Sequence, residues 1–174
     1  MTYISVDVEA DGPIPGEYSM VSFGAVIVDK EGKFDKTFYG QIKPISEHWI
    51  EEALAVSGHT RGECISFEWP EKVMTNFDKW ITENSKGHPM FLSDNNGFDW
   101  QFINYYFHRF IKRNPFGHSS RNLNDIYKGA AHNMFSSFKH LRTTKHTHHP
   151  VDDAKGNAEA FLKTIDQFDI KVKI

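Results

Sequence analysis

Two carboxylates near the N-terminus, Asp7 and Glu9, have a spacing that suits a divalent cation. They belong to Tyr3–Glu9, where polar and apolar residues alternate as in a β-strand. Residues i and i+2 of a strand point to the same face, with Cβ atoms about 7 Å apart, so both side chains can offer oxygen to one hard cation. The alternative is a solvated strand edge, because residues 11–16, rich in Gly and Pro, turn the chain immediately afterwards.

A third carboxylate, Asp99, stands at the start of a predicted helix, directly after the apolar segment His88–Ser93. In α/β proteins ligands bind at the carboxyl edge of the sheet, where such a strand ends. Asp99 is therefore a candidate ligand. Taken alone, however, its position favours an aspartate that only caps its helix.

Near the C-terminus, His148 precedes Asp153 by five positions, at the start of a predicted amphipathic helix. This spacing can place an imidazole and a carboxylate around one cavity. His149 is a rival for the histidine, and Asp152 is a rival for the carboxylate. The alternative is that both aspartates only stabilise the helix N-terminus, an effect of about 0.3–1 kcal/mol.

The histidines of this region also raise the possibility of zinc. They form a run at positions 140, 146, 148 and 149. No cysteine is nearby, and the other candidate ligands are carboxylates, which favour Mg²⁺ or Mn²⁺.

The elements that must position these residues can be predicted from periodicity and turn residues. Strands are predicted at Tyr3–Glu9, Met20–Val28, Phe34–Ile42 and His88–Ser93. Helices are predicted around Glu47–Val56, Pro70–Thr82 and Phe98–Lys112. A last helix is predicted with Pro150 and the Asp152-Asp153 pair at its start and an apolar stripe from Ala154 to Phe168. Three strands followed by alternating helices and short strands indicate an α/β fold with a mixed sheet, and the length suits one domain over residues 1–174.

Composition narrows the class of protein. One cysteine excludes an intramolecular disulfide framework and a multi-cysteine zinc site. No apolar run approaches the roughly 20 residues that cross a bilayer, and no signal-peptide layout is present, so we expect a cytoplasmic protein without membrane contact. Residues 1–99 carry 17 Asp and Glu against 8 Lys and Arg, whereas residues 100–148 carry 1 against 8. This separation of acidic and basic segments suits a site that faces a polyanion. Basic helices that simply balance an acidic sheet would produce the same distribution of charge.

Three motifs taken in order resemble the DnaQ-like, DEDDh exonuclease superfamily. They are Asp-x-Glu on the first strand, Asn-x-x-Phe-Asp at residues 95–99 and His-x-x-x-x-Asp at 148–153, and residues 52–60 match a further stretch. The resemblance spans residues 3–165 and is nearest to the short bacterial exoribonucleases typified by mycobacterial RNase AS. Many members have histidine where this chain has Ser57 and Asp94. The resemblance implies an RNase H-like fold with a mixed β-sheet. The first three strands would pair antiparallel, and the later strands would be parallel.

The resemblance also implies a catalytic site. Asp7, Glu9 and Asp153 would bind a first metal ion, and Asp7 and Asp99 would bind a second, both Mg²⁺ or Mn²⁺. His148 would be the general base, because the superfamily group with a histidine base uses the five-position spacing. The expected activity is 3′→5′ hydrolysis that releases nucleoside 5′-monophosphates.

The expected partner is the 3′ end of single-stranded RNA, with DNA as the rival. The resemblance implies backbone contacts to this end from Ala10, Asp11 and Gly12, and further contacts across the cleft from Ser57, Gly58 and His59. The aromatic residues that stack on the terminal bases cannot be ranked. Basic residues could follow the phosphates or could simply be solvated: Arg109, Lys112, Arg113, Arg121, Lys139, Arg142 and Lys145.

Two other classes of protein compete with this prediction. A nuclease-inactive binding module on the same fold would be expected to lose at least one of the five site residues, and all five are present. A phosphatase-like hydrolase does not fit the order of the motifs. A homodimer is expected, since homodimers are common in this superfamily.

Overall fold

The structure is a computed structural model that describes residues 1–174. Five strands form a single sheet: β1 (Thr2–Ala10), β2 (Met20–Ile27), β3 (Thr37–Gln41), β4 (Pro89–Ser93) and β5 (Ser120–Asn122). Their order is β3-β2-β1-β4-β5. The first three strands pair antiparallel, and β4 and β5 add in parallel, which confirms the predicted mixed α/β sheet.

Six α-helices flank the sheet: α1 (Glu51–Val56), α2 (Arg61–Ile65), α3 (Pro70–Asn84), α4 (Asn96–Tyr106), α5 (Leu123–Ala130) and α6 (Pro150–Gln167). A π-helical turn, Phe107–Ile111, extends α4, and a 3₁₀ turn covers Lys139–Leu141. None of the helices has the length and apolar character needed to cross a membrane.

β1 lies in the middle of the sheet and is covered on both faces. Ile4, Val6 and Val8 pack in the larger hydrophobic cluster, which includes side chains of α3 and α4. On the opposite face, Tyr3 packs against Phe161 of α6, with ring centroids 5.0 Å apart. The polar side of β1 therefore lies beneath α6, with Asp7 half-buried, and is not a solvated edge.

Several predicted boundaries were wrong at the ends of elements. β3 begins at Thr37 rather than Phe34, and Phe34 instead packs against the cluster beneath α6. α1 begins at Glu51 rather than near residue 47, because the extended backbone at Ile50 donates its N–H to the carbonyl of Asp11. The predicted helix from Phe98 starts earlier, at Asn96.

Gly24 of β2 determines how closely α6 approaches the sheet. It lies opposite Asp7 of β1 and Tyr39 of β3. A Cβ atom at Gly24 would come within 2.3 Å of the backbone of Pro150 and Val151, at the start of α6. Only glycine allows this contact, since helix backbone cannot move aside as a flexible side chain can.

Gly24→Ala should therefore destabilise the fold. We expect a loss of about 1–3 kcal/mol in the free energy of unfolding, the usual cost of forcing extra volume into a packed interior. The measurement is denaturant unfolding of both proteins. Gly129→Ala in α5 is the control, because an added Cβ there meets no atom within 4 Å and alanine improves helix propensity by up to about 1 kcal/mol. Equal effects of the two substitutions would contradict this account of Gly24.

Candidate active site

The carboxylates of β1 meet the first turn of α6 in one cleft. One oxygen from each of Asp7, Glu9 and Asp153 lies within 4.8 Å of the other two. Desolvation raises the pKa of Asp7 well above its ordinary value, and the charges of Asp99, Glu9 and other neighbouring aspartates raise it further. Burial, and then the charge of Asp153, raise the pKa of Glu9 to about 7. No Lys, Arg or His forms an ion pair with Asp7 or Glu9, so the cleft holds concentrated negative charge.

Asp99 joins this cleft from the first turn of α4. Its side chain is 2% exposed. Oδ1 accepts a hydrogen bond from the backbone N–H of Val8 at 3.1 Å, whereas Oδ2 is buried without a partner. Burial, followed by the charge of Asp94, raises its pKa well above the usual range. Because Asp99 bonds to β1 and not to its own helix, the capping explanation does not account for it.

Asp153 is held by the loop that precedes α6. It is 1% exposed, and its oxygens accept the backbone N–H groups of Thr147 at 3.2 Å and His148 at 3.0 Å. Nδ1 of His146 lies 2.8 Å from Asp153 Oδ1. The neighbouring Asp152 instead accepts the hydroxyl of Thr147 at 3.2 Å. The geometry thus brings Asp153, and not Asp152, to the carboxylates of β1.

The two adjacent histidines face different neighbours. A ring nitrogen of His148 lies within 4.8 Å of an Asp153 carboxyl oxygen and of a ring nitrogen of His146. The backbone of His148 is left-handed, with φ of 61°, a conformation that the bond from its N–H to Asp153 supports. His149 turns to β3, where its ring centroid is 4.9 Å from that of Tyr39. Sequence reasoning noted His146 only as part of a histidine run, because its contact with Asp153 depends on the loop conformation.

Asp11 does not have free backbone groups to offer a substrate, which corrects the expectation for this residue. Its N–H donates to the carbonyl of Ser19 at 2.9 Å, and its carbonyl accepts from Ile50 at 2.8 Å. Its buried carboxylate accepts the N–H of Ser19 at 2.5 Å and a guanidinium N–H of Arg61 at 2.7 Å. Burial nonetheless raises its pKa, partly opposed by Ser19 and Arg61. Asp11 therefore anchors the turn after β1.

The turn after β1 begins at a break in the ladder, since the pairing register shifts between Glu9 and Ala10. Gly12 packs against the ring of Tyr18, and a Cβ there would lie 2.2 Å from ring atoms. A larger residue at position 12 would collide with the Tyr18 ring, which explains the glycine.

The segment after α1 contacts β3 through one aromatic residue of that strand, Tyr39. Ser57 Oγ donates to the carbonyl of Leu54 at 2.7 Å, and Gly58 has a left-handed φ of 73° with open space around its Cα. Nε2 of His59 lies 3.4 Å from the hydroxyl of Tyr39. Tyr39 thus bridges His59 and His149, with 38% of its surface exposed. The sequence did not single out Tyr39 among the aromatic residues, because its place beside Gly24 depends on the strand register.

Two of the basic residues that could follow phosphates form ion pairs within the protein. Arg142 is 8% exposed at its side chain and lies 2.9 Å from Asp94. Asn157 of α6 completes this network by donating to Asp94 at 3.1 Å. Arg113 forms an ion pair with Asp78. Arg142 therefore ties the end of β4 to α6.

Comparisons with known proteins agree with this geometry. The family model described as 3′-5′ exoribonuclease Rv2179c-like domain matches residues 2–165. An Escherichia coli protein named 3′-5′ DNA exonuclease Cap18 is 35% identical over 182 residues, covering 99% of this chain and 95% of that protein.

Solved structures show the same fold at low sequence identity. The nuclease domain of 3′hExo, a DEDDh family member bound to rAMP, superposes with a TM-score of 0.79 at 16% identity, covering 99% of this chain and 96% of that one. E. coli exonuclease I in complex with a dA16 oligonucleotide superposes with a TM-score of 0.75 at 18% identity, covering 96% of this chain and 41% of that one.

The match over nearly the whole chain, together with the mixed sheet and the cleft of converging carboxylates, confirms the resemblance drawn from the motifs. This chain belongs to the family described as 3′-5′ exoribonuclease Rv2179c-like domain.

Proposed function

We propose that this chain is a divalent-metal-dependent 3′→5′ exonuclease that releases nucleoside 5′-monophosphates from single-stranded RNA. The observation that carries the proposal is the convergence of Asp7, Glu9 and Asp153 oxygens within 4.8 Å. A cluster of this kind, with no ion pair to Asp7 or Glu9, costs stability unless protons or cations neutralise it. A role in binding cations accounts for the presence of this carboxylate cluster in the fold.

The donor set fits Mg²⁺ or Mn²⁺. All four candidate ligands are carboxylates, which these hard cations prefer. The buried Oδ2 of Asp99 has no partner in the protein and is a ready ligand atom. Asp7, Glu9 and Asp153 would hold one cation, and Asp7 and Asp99 a second. Such a pair, when bound, stabilises negative charge on the attacking and leaving oxygens of a phosphoryl transfer.

His148 is the proposed general base. Its ring nitrogen lies within 4.8 Å of Asp153 and its ring is exposed to solvent, so it can meet a water molecule at the edge of the cleft. It would accept the proton of that water as the water oxygen bonds to phosphorus. The bond between phosphorus and the 3′ oxygen of the preceding nucleotide then breaks, which frees a nucleoside 5′-monophosphate and a new 3′ end.

The 3′ end would be held between Ala10 and Gly12 on one side and Ser57, Gly58 and His59 on the other. We add Tyr39 to this proposal, because its exposed ring lies beside both His59 and His149. Stacking of a base on an aromatic ring contributes about 1–3 kcal/mol.

DNA is the second candidate substrate. The family description favours RNA, whereas the E. coli relative at 35% identity is named a DNA exonuclease. Recognition of RNA requires a contact to the 2′-hydroxyl.

Wild-type protein should shorten 5′-labelled oligonucleotides stepwise from the 3′ end with Mg²⁺ or Mn²⁺, and chelator should stop the reaction.

The Asp7→Asn substitution should slow this reaction by about 1,000-fold or more, since metal stabilisation of the transition state amounts to several kcal/mol. Asp152→Asn is the control, because that carboxylate contacts only Thr147, and it should retain activity. Matched RNA and DNA oligomers reveal the preferred sugar. Cleavage of circular or 3′-blocked substrates, or full activity of Asp7→Asn, would refute the proposal.

His148→Ala should lower kcat far more than His149→Ala does. A general base contributes about 10²–10⁴-fold, whereas His149 contacts the ring of Tyr39 and should affect mainly KM. Steady-state kinetics on one RNA oligomer separate the two effects. The reverse ranking would transfer the base role to His149.

The acidic cleft should make metal-free stability depend on pH. The pKa of Glu9 is raised from 4.5 to about 7 in the folded state, so folding favours the protonated form. Stability is then retained below pH 4.5 and declines as pH rises towards 7. In chelator, wild type should lose up to about 3 kcal/mol relative to Glu9→Gln across this window.

Thermal or denaturant unfolding of both proteins from pH 4.5 to 8 measures this difference. Saturating Mg²⁺ should reduce the decline for wild type, because the cation binds the ionised carboxylate of the folded state. A wild-type–variant difference that stays constant across the window would contradict the assigned environment of Glu9.

A further inference from the structure

We propose that His146, His148 and Asp153 form a binding site for a transition-metal cation such as Zn²⁺, and that its occupation inhibits the enzyme. The inhibitory part of this proposal rests on the proposed nuclease function. The site differs from the carboxylate cleft in its ligand chemistry and shares only Asp153 with it.

The three side chains are already close to the geometry that Zn²⁺ requires. One ligand atom from each lies within 4.8 Å of the other two, and His146 Nδ1 is 2.8 Å from Asp153 Oδ1. Tetrahedral zinc with bonds of about 2.0–2.2 Å needs donors about 3.3 Å apart. The two imidazole rings have centroids 4.3 Å apart and a steep interplanar angle of 66°, so small side-chain rotations bring both nitrogens to one ion.

The surroundings support such a site. The backbone N–H groups of Thr147 and His148 fix the Asp153 carboxylate, as hydrogen-bonding partners of metal ligands commonly do. Both histidines are exposed, with 52% of the His146 side chain accessible, whereas Asp153 is buried. A cation can therefore enter from solvent and keep a fourth position for water.

The two sites should select different cations. Imidazole nitrogen favours zinc, copper and nickel, whereas carboxylate oxygen favours Mg²⁺ and Mn²⁺. Two imidazoles and one carboxylate therefore prefer Zn²⁺, and the cleft of carboxylates prefers Mg²⁺.

Occupation by Zn²⁺ would block the reaction in two ways. The nitrogen of His148 that binds the cation has no lone pair left to accept a proton from water. Zn²⁺ would also occupy an Asp153 oxygen that the proposed first Mg²⁺ needs beside Asp7 and Glu9. Inhibition would thus occur without Zn²⁺ entering the carboxylate cleft.

The test combines binding and inhibition in the full chain. Zn²⁺ binding to metal-free protein is measured by calorimetry, and Co²⁺ is used as a probe because four-coordinate Co²⁺ absorbs visible light strongly. Zn²⁺ is then titrated into the nuclease assay at fixed Mg²⁺, with each variant normalised to its own rate without Zn²⁺. The variants are His146→Ala and His146→Gln, and the control is His149→Ala, which removes an adjacent histidine that contacts Tyr39 instead.

Wild type and His149→Ala should bind one Zn²⁺ with similar affinity and show the Co²⁺ spectrum. Both His146 variants should bind Zn²⁺ about 100-fold more weakly or worse, since even changes beyond the direct ligands cost about 10–100-fold. Their inhibitory Zn²⁺ concentration should rise by the same factor.

Unchanged Zn²⁺ affinity in the His146 variants would overturn the proposal. So would inhibition that is equally strong in those variants, because Zn²⁺ would then act at the carboxylate cleft. Binding without inhibition in wild type would refute the inhibitory role. If wild type shows no nuclease activity with Mg²⁺, the proposed function fails, and the calorimetric and Co²⁺ results still decide the zinc site.

Discussion

The contact between the first turn of α6 and Gly24 of β2 is the constraint on which the site depends. The backbone of Pro150 and Val151 occupies the space that a side chain at position 24 would fill. This brings Asp153, less than one turn further along α6, within reach of the carboxylates of β1. The loop before α6 is positioned by the same contact, because its backbone N–H groups bond to Asp153. A shift of α6 would therefore separate both the carboxylates and the histidines at once.

The electrostatics of the cleft follow from that packing. Placing several carboxyl groups beneath a helix removes water from them and sets like charges side by side, which raises the pKa values of Asp7, Glu9 and Asp99. The guanidinium of Arg142 forms an ion pair with Asp94. It holds β4 against α6 and leaves the remaining charge for protons or bound cations to neutralise. The burial of several carboxyl groups side by side beneath α6 thus causes the instability of the cleft and also underlies its proposed chemistry.

The basic segment illustrates how far composition can be interpreted. Residues 100–148 are strongly basic, and this suggested a surface for phosphates. Arg142 is instead buried in a structural network, and Arg113 pairs with Asp78. Both arginines form ion pairs with acidic residues that are distant in the chain, so the net charge of the segment did not predict which of its basic side chains are already paired.

Much of the fold could be predicted because it depends on neighbours in the chain. Alternation predicted β1, a run of β-branched and apolar residues predicted β2, and the apolar stripe of the last helix predicted α6. β5 and α5 were not assigned, since a three-residue strand such as Ser120–Asn122 carries too short a pattern. The start of α1 was misplaced because a bond from Ile50 to the distant Asp11 decides it.

The amino-acid sequence by itself determined the set of acidic residues, their order and the period of the elements that carry them, which was enough to indicate the family. Only the tertiary structure decided what each polar group contacts. It turned His149 towards Tyr39, joined His146 to Asp153 and used both backbone groups of Asp11 to anchor a turn. Periodicity is a local property of the chain, whereas these contacts depend on how closely helices and loops approach the sheet.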